Sequence, residues 1–187
     1  GVVTRADWRP NPKCVDQMLT GIVAPELDQF DQYQDFGAAI AVRDPRGCGS
    51  LYTDEHFAVV SDCRLDSKAD LCVKLNLSRA EESASKILAK AYEKWGEDLV
   101  EYIAGDFAFA IWNKVSRTLF CGRDRFGKIP FAYFLTSKSI AFASDFLPLA
   151  SRCSLPKDIN NTWLLSYVRG LVHDYESTPF EGILRLP

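Results

Sequence analysis

The sequence predicts an α+β fold in which two mainly antiparallel sheets stack face to face and helices cover the outside. Three observations lead there. Strand-like segments follow one another in hairpins with only short turns between them, which argues antiparallel pairing. The segment "GDFAFAIWN" is apolar on both alternating sets, Phe107, Phe109 and Ile111 on one and Ala108, Ala110 and Trp112 on the other, so both faces of that strand are covered. An amphipathic helix precedes it, and such a helix needs a sheet to receive its apolar side.

Each element follows from its own stretch. "NPKCVDQMLTGIV" predicts a short helix, with Pro12 suited to a first turn and Val15, Met18, Leu19 and Ile22 at helical spacing. "FGAAIAVR" reads as a buried strand and "DPRGCGS" as a turn. "SLYT" and "HFAVVSDCRL" are two more strands, the second with Phe57, Val59 and Ser61 on one face, and "DEH" at 54 to 56 is the turn beside them. The longest helix is expected between Ser78 and Gly96. Ser78 and Glu81 match a capping box, Ala80, Ala84, Ile87, Leu88, Ala91 and Trp95 mark one face, and Gly96 stands at the exit. "EDLVEYIAG" adds a short helical piece.

After "GDFAFAIWN", the turn "NKVSR" leads to a return strand "TLFCG", and "FAYFL" and "SIAFAS" repeat the hairpin around "TSK". These four consecutive strands are expected in one antiparallel sheet. "DFLPLASR" and "DINNTWLLSYVRG" read as helices, the latter bringing Trp163, Leu164, Tyr167 and Val168 together before Gly170. "STPFEGILRLP" is extended and turn-like, and no repeat or low-complexity linker interrupts the chain.

At 187 residues, 47% hydrophobic and 25% charged, the chain fits a single globular domain over 1–187. A net charge of −3 with scattered Lys and Arg leaves no footprint for nucleic acid. No apolar run approaches the roughly 20 residues that span a bilayer, and "GVVTRADWRP" lacks the pattern of a signal peptide, so no membrane and a cytoplasmic location are expected. Six cysteines (Cys14, Cys48, Cys63, Cys72, Cys121, Cys153) form no C-x-x-C pair, and the two histidines, His56 and His173, stand far apart. Reduced, mostly buried thiols and no metal site are expected. Asp62 beside Cys63 disfavours a thiolate there.

"AYEKWGEDLVEYIAGDFAFAIWN", "LFCGRDRFGKIPFAYF" and "IAFASDFLPL" resemble the N-terminal glutaminase domain of the asparagine synthetases, the class II glutamine amidotransferases. The resemblance covers about the last two-thirds of the chain. It implies an αββα four-layer sandwich of the N-terminal-nucleophile (Ntn) hydrolase type. Its most specific mark is the loop with Arg123, Asp124, Gly127 and Pro130, for which a charged turn that pairs internally is favoured over an anion site. "TPFEGILRLP" resembles the lead into an ATP-dependent synthetase domain, which this chain does not include.

The resemblance also implies catalytic parts that this sequence does not match. The family attacks glutamine with an N-terminal cysteine whose own α-amine is the base; here the chain starts at Gly1. The arginine expected to hold the substrate carboxylate has no counterpart in "TGIVAPELDQFDQYQDFG". The asparagine-glycine pair of the oxyanion hole is matched by Ser61 and Asp62, and an acid there opposes developing negative charge. The aspartate that grips the substrate amine is matched by Ala84.

The expectation is therefore a degenerate, glutaminase-inactive domain of an asparagine-synthetase-related amide-forming enzyme, with catalytic residues none. Similar losses mark the β-lactam synthetases and lasso-peptide cyclases. The partner implied is the synthetase domain of the same protein, which alone would use ATP and Mg, with no cofactor in this part; a homodimer is left open. The alternative is an active glutamine-hydrolysing domain whose N-terminal cysteine is missing here.

Overall fold

A strand that is apolar on both faces can be satisfied only inside a sheet, and "GDFAFAIWN" forms such a strand. In the computed structural model, which describes residues 1–4, 15–18, 30–43, 49–66, 68–77, 82–152, 158–171 and 174–187, the strands run β1 (Val2–Thr4), β2 (Asp31–Gln34), β3 (Ala38–Val42), β4 (Gly49–Thr53) and β5 (Phe57–Leu65). They continue as β6 (Gly105–Asn113), β7 (Thr118–Arg123), β8 (Ala132–Leu135), β9 (Ser139–Ala143) and β10 (Ile183–Arg185). The helices are α1 (Lys68–Lys74), α2 (Ala84–Trp95), α3 (Phe146–Arg152) and α4 (Asn161–Val168), with a 3₁₀ turn at Gly96–Glu101. Residues 15–18 are also helical and bury Val15 and Met18; the rest of the helix expected around them lies outside the described residues.

The expected α+β class holds, with two sheets in which β1 pairs antiparallel with β3 and β9, β8 with β9 and β10, β5 with β4 and β6, and β6 with β7. One has the order β4-β5-β6-β7, so β6 is interior, and its residues from Phe107 to Trp112 are all buried. The other has the order β10-β8-β9-β1-β3-β2. The four consecutive strands expected in one sheet are thus divided, β6 and β7 in the first and β8 and β9 in the second. Hairpin logic holds only across short loops, and residues 124–131 between β7 and β8 are a turn with bonds of its own.

The chain forms two compact units. In the unit that holds Ile40–Ile129, α2 lies on β4 and β5. Phe57, Val59, Phe107, Phe109 and Ile111 from the strands meet Ile87, Leu88 and Ala91 from α2 in one core. Leu71 and Cys72 of α1 complete that core; seven residues with two buried positions are too short for periodicity to reveal, and this helix was not expected. In the unit that holds Gly1–Pro25, Gln34–Ala39 and Pro130–Pro187, α3 lies against β8, β9 and β10, and the Phe131 and Phe142 rings stack at 5.5 Å.

The start of α2 differs from expectation. Ser83 is the N-cap, its side chain accepting from the Lys86 amide at 3.2 Å, and Ala84 is the first helical residue. Ser78, Ala80 and Glu81 lie outside the described residues. The exit is as expected: Gly96 takes φ of 60° and its amide donates to the Tyr92 carbonyl. Among the described residues no helix is long and apolar enough to cross a membrane.

Candidate functional site

Strand alternation sorts the two residues that match the oxyanion pair. Phe57, Val59, Ser61 and Cys63 face α2, whereas Asp62 falls on the opposite face, across from Gly49 of β4 and Ala108 of β6. Ser61 is 3% exposed, so its hydroxyl needs partners. It finds them in Ser50 of β4 and Ser85 of α2, neither of which the sequence singled out. The signal was present in outline, since a serine sharing a face with Phe57 and Val59 must be buried.

The three hydroxyls close on one another. Ser85 Oγ donates to the Ser50 carbonyl at 2.7 Å, and Ser50 Oγ donates to Ser85 Oγ at 2.9 Å. With both of those protons committed, Ser61 is the donor in its 2.8 Å contact with Ser85 Oγ. The Ser85 amide, an early helical N–H with no partner inside α2, donates to Ser50 Oγ at 3.1 Å. Ser61 therefore retains no proton for an oxyanion, and the cluster pins the start of α2 to β4 and β5. Replacing Ser85 by alanine removes the acceptor shared by Ser61 and Ser50, leaving them only their own 3.3 Å contact, and is expected to cost about 1 kcal/mol, read as a lower urea midpoint at unchanged slope.

Ala84 is half-buried at the first position of α2, packed at the edge of the same core. Its methyl can neither pair with nor accept from an ammonium group. The segment matched to the carboxylate-binding loop lies outside the described residues from position 19 to 29.

The turn after β7 is built from its own backbone. Asp124, 5% exposed, accepts from the amides of Phe126, Lys128 and Ile129, all at 3.1 Å. Burial would raise this carboxyl, but the amide donors outweigh it and hold the group below the ordinary aspartate range. Arg123 donates to the carbonyls of Gly127 at 2.6 Å and Ile129 at 3.0 Å. Gly127, with φ of 61°, lies so close under the guanidinium that an added Cβ would meet it. Pro130 is exposed where the turn ends. Both charged residues are thus bonded within the turn, with Phe126 93% exposed at its tip.

At the start of the chain, the Gly1 amine donates to the Phe142 carbonyl at 2.7 Å. A Cβ on Gly1 would run into the Phe142 ring, which is itself buried. Among the described cysteines, Cys63 and Cys72 are buried, and burial pushes the Cys121 thiol up to about 12, so it is protonated at neutral pH. Cys14, Cys48 and Cys153 lie outside the described residues, as does His173. His56 is exposed in the turn between β4 and β5, where Asp54 accepts from its amide. Among the described residues no group of three or more His, Cys, Asp or Glu could hold a metal ion.

Comparison with known proteins adds a family. Residues 65–187 match the family described as glutamine amidotransferase domain. Asparagine synthetase [glutamine-hydrolyzing] 3 of Bacillus subtilis is 29% identical over 76% of this chain and 23% of its own length. A putative asparagine synthetase [glutamine-hydrolyzing] of Mycobacterium bovis is 35% identical over 57% of this chain and 17% of its own. The chain thus spans less than a quarter of the length of these relatives. A solved glutamine phosphoribosylpyrophosphate amidotransferase from B. subtilis is similar at 17% identity and a TM-score of 0.47, over 62% of this chain and 29% of that one.

Proposed function

The chain belongs to the glutamine amidotransferase domain family and is related to the asparagine synthetases, and from that premise we propose that it is a catalytically degenerate member. In this reading its full-length protein forms an amide bond with ATP and Mg in a separate synthetase domain, and this domain is scaffold rather than glutaminase. The carrying observation lies on β5. Ser61, where the family pattern has an asparagine, spends its proton inside a closed serine cluster, and Asp62 presents an acid on the opposite face. A tetrahedral oxyanion needs donors aimed at it, and removing one donor from such a site costs roughly 10²–10³ in rate. Ala84 in place of an acid supports the same reading. That Cys72 and Cys121, among the described residues, form no disulfide suits action in the cytoplasm.

The test is glutamine hydrolysis by protein carrying its natural N-terminus. Glutamate release at the uncatalysed background is expected, and turnover on the order of 1 s⁻¹ or faster, an ordinary enzyme rate, would overturn the proposal.

A second reading is favoured by the relatives, whose names describe glutamine-hydrolysing enzymes. Here a nucleophilic cysteine precedes Gly1. The geometry at Gly1 selects the variant to make: a cysteine added ahead of Gly1, because Gly1→Cys would drive its Cβ into the Phe142 ring. Covalent capture by a glutamine-like electrophile supports this reading, and a folded but unlabelled protein rejects it.

A further inference from the structure

Strand β2 has little to hold it by burial. Asp31, Gln32 and Gln34 are exposed and Tyr33 is half-buried, so the strand brings no apolar face to its sheet. It sits at the edge of the six-stranded sheet, beside β3. One end is well fixed: the Asp35 carboxylate accepts from the amides of Gly37 and Ala38, both at 2.6 Å, and closes the turn between the two strands. A short polar edge strand frays at the other end unless something pins it.

The pin is Lys114, which belongs to the same compact unit as Tyr33. It stands in the turn between β6 and β7, where the Asn113 side chain accepts from the amides of Val115 and Ser116, each at 3.0 Å. The Lys114 amide donates to the His56 carbonyl at 2.8 Å, so the base of the side chain is fixed. Its ammonium group donates to Thr53 Oγ1 at 2.7 Å and to the Asp54 carbonyl. An ammonium carries three donors; with two committed, it still presents charge to the face of Tyr33, whose ring centroid is 4.5 Å away. We propose that Lys114 is a latch that sets how often β2 opens, separately from global unfolding. Thr53 and Asp54 hold the ammonium in place without any help from β2, so the latch is preorganised and the Tyr33 ring docks onto it. When β2 leaves, the edge of β3 is bared, and a bare edge is where strands of another chain add. The latch therefore guards the six-stranded sheet, and it operates whether or not the domain hydrolyses glutamine.

The experiment is backbone hydrogen exchange of the full-length protein, wild type against Tyr33→Leu and Lys114→Met, read separately over residues 31–34 and over β5 and β6. Tyr33→Leu removes the ring face and leaves the Lys114 bonds to Thr53 and Asp54; Lys114→Met removes the charge and keeps a long side chain. Each variant is expected to speed exchange over residues 31–34 by at least about threefold, while β5 and β6 exchange as in the wild type. The double variant is expected to be no faster than the faster single one, because both substitutions break the same contact. Unchanged exchange over residues 31–34 in either single variant overturns the proposal, since backbone pairing with β3 would then hold the strand by itself. Equal acceleration over residues 31–34 and over β5 and β6 also overturns it, because Lys114 would then support the whole unit rather than latch one strand. Additive effects in the double variant do the same, by showing that the two side chains act apart.

Discussion

Replacing Asp124 by alanine is expected to destabilise the protein by about 3 kcal/mol, the upper range for stripping a charged acceptor from buried donors. The substitution leaves the amides of Phe126, Lys128 and Ile129 without their acceptor at the point where β7 ends. Arg123 keeps its carbonyl contacts only while the turn keeps its shape, so the two losses are coupled. The pH dependence has a definite sign. Because the folded carboxyl is held below its unfolded value, its contribution is fully present above the unfolded pKa of about 4 and is lost as pH falls through the folded pKa. Chemical denaturation from pH 7 down to pH 3 should show the gap between wild type and Asp124→Asn narrowing toward the acid end. A gap that stays constant or widens would mean that the carboxylate charge is not what holds the turn.

Gly105→Ala is expected to be at least as damaging. Gly105 opens β6 at φ of 129°, and an added Cβ would meet the Arg64 carbonyl oxygen and come within 3.0 Å of the Asp66 amide nitrogen. These are backbone atoms of the paired strand and its continuation, so no side-chain rotation relieves the clash. Strain of about 1–3 kcal/mol and overpacking of about 1–3 kcal/mol add to roughly 4 kcal/mol. Gly96→Ala is the control: its φ is also positive, at 60°, but nothing lies within 4 Å of the added Cβ. With ψ of −138° the backbone lies outside the left-handed helical region, and only that conformational strain of about 1–3 kcal/mol remains there. If urea titrations ranked the two substitutions equally, close approach at β6 would not be the reason for glycine at 105.

Local pattern marked β3 to β9, but not β1, β2 or β10, which are only three or four residues long. β6 was legible because a run that is apolar on both alternating sets has no stable place except inside a sheet, and Gly96 was legible because few residues end a helix as it does. The start of α2 was not, since a serine and a glutamate three apart are common and the cap in use, Ser83, lies a few residues further on. The split of β6 and β7 from β8 and β9 was illegible for a different reason: strand pairing is decided by partners distant in sequence. At the candidate site, alternation placed Ser61 with Phe57 and Val59. It could not show that Ser85, on a helix, would take the Ser61 proton. The turn at Arg123 and Asp124 was readable as self-bonded because glycine and proline fix its path.

The position of β1 bears on how the chain can assemble during synthesis. Val2, Val3 and Thr4 pair with Ala141, Ile140 and Ser139, and the Gly1 amine bonds to a carbonyl 141 residues further on. By contrast, β6 and β7 meet across a turn of a few residues. Ribosomal synthesis runs from the N-terminus, so β1 must keep one edge unpaired until residues 139–141 have been made. Its three residues are all buried in the finished structure, so this short segment needs shelter, from its own chain or from a chaperone, in the interval.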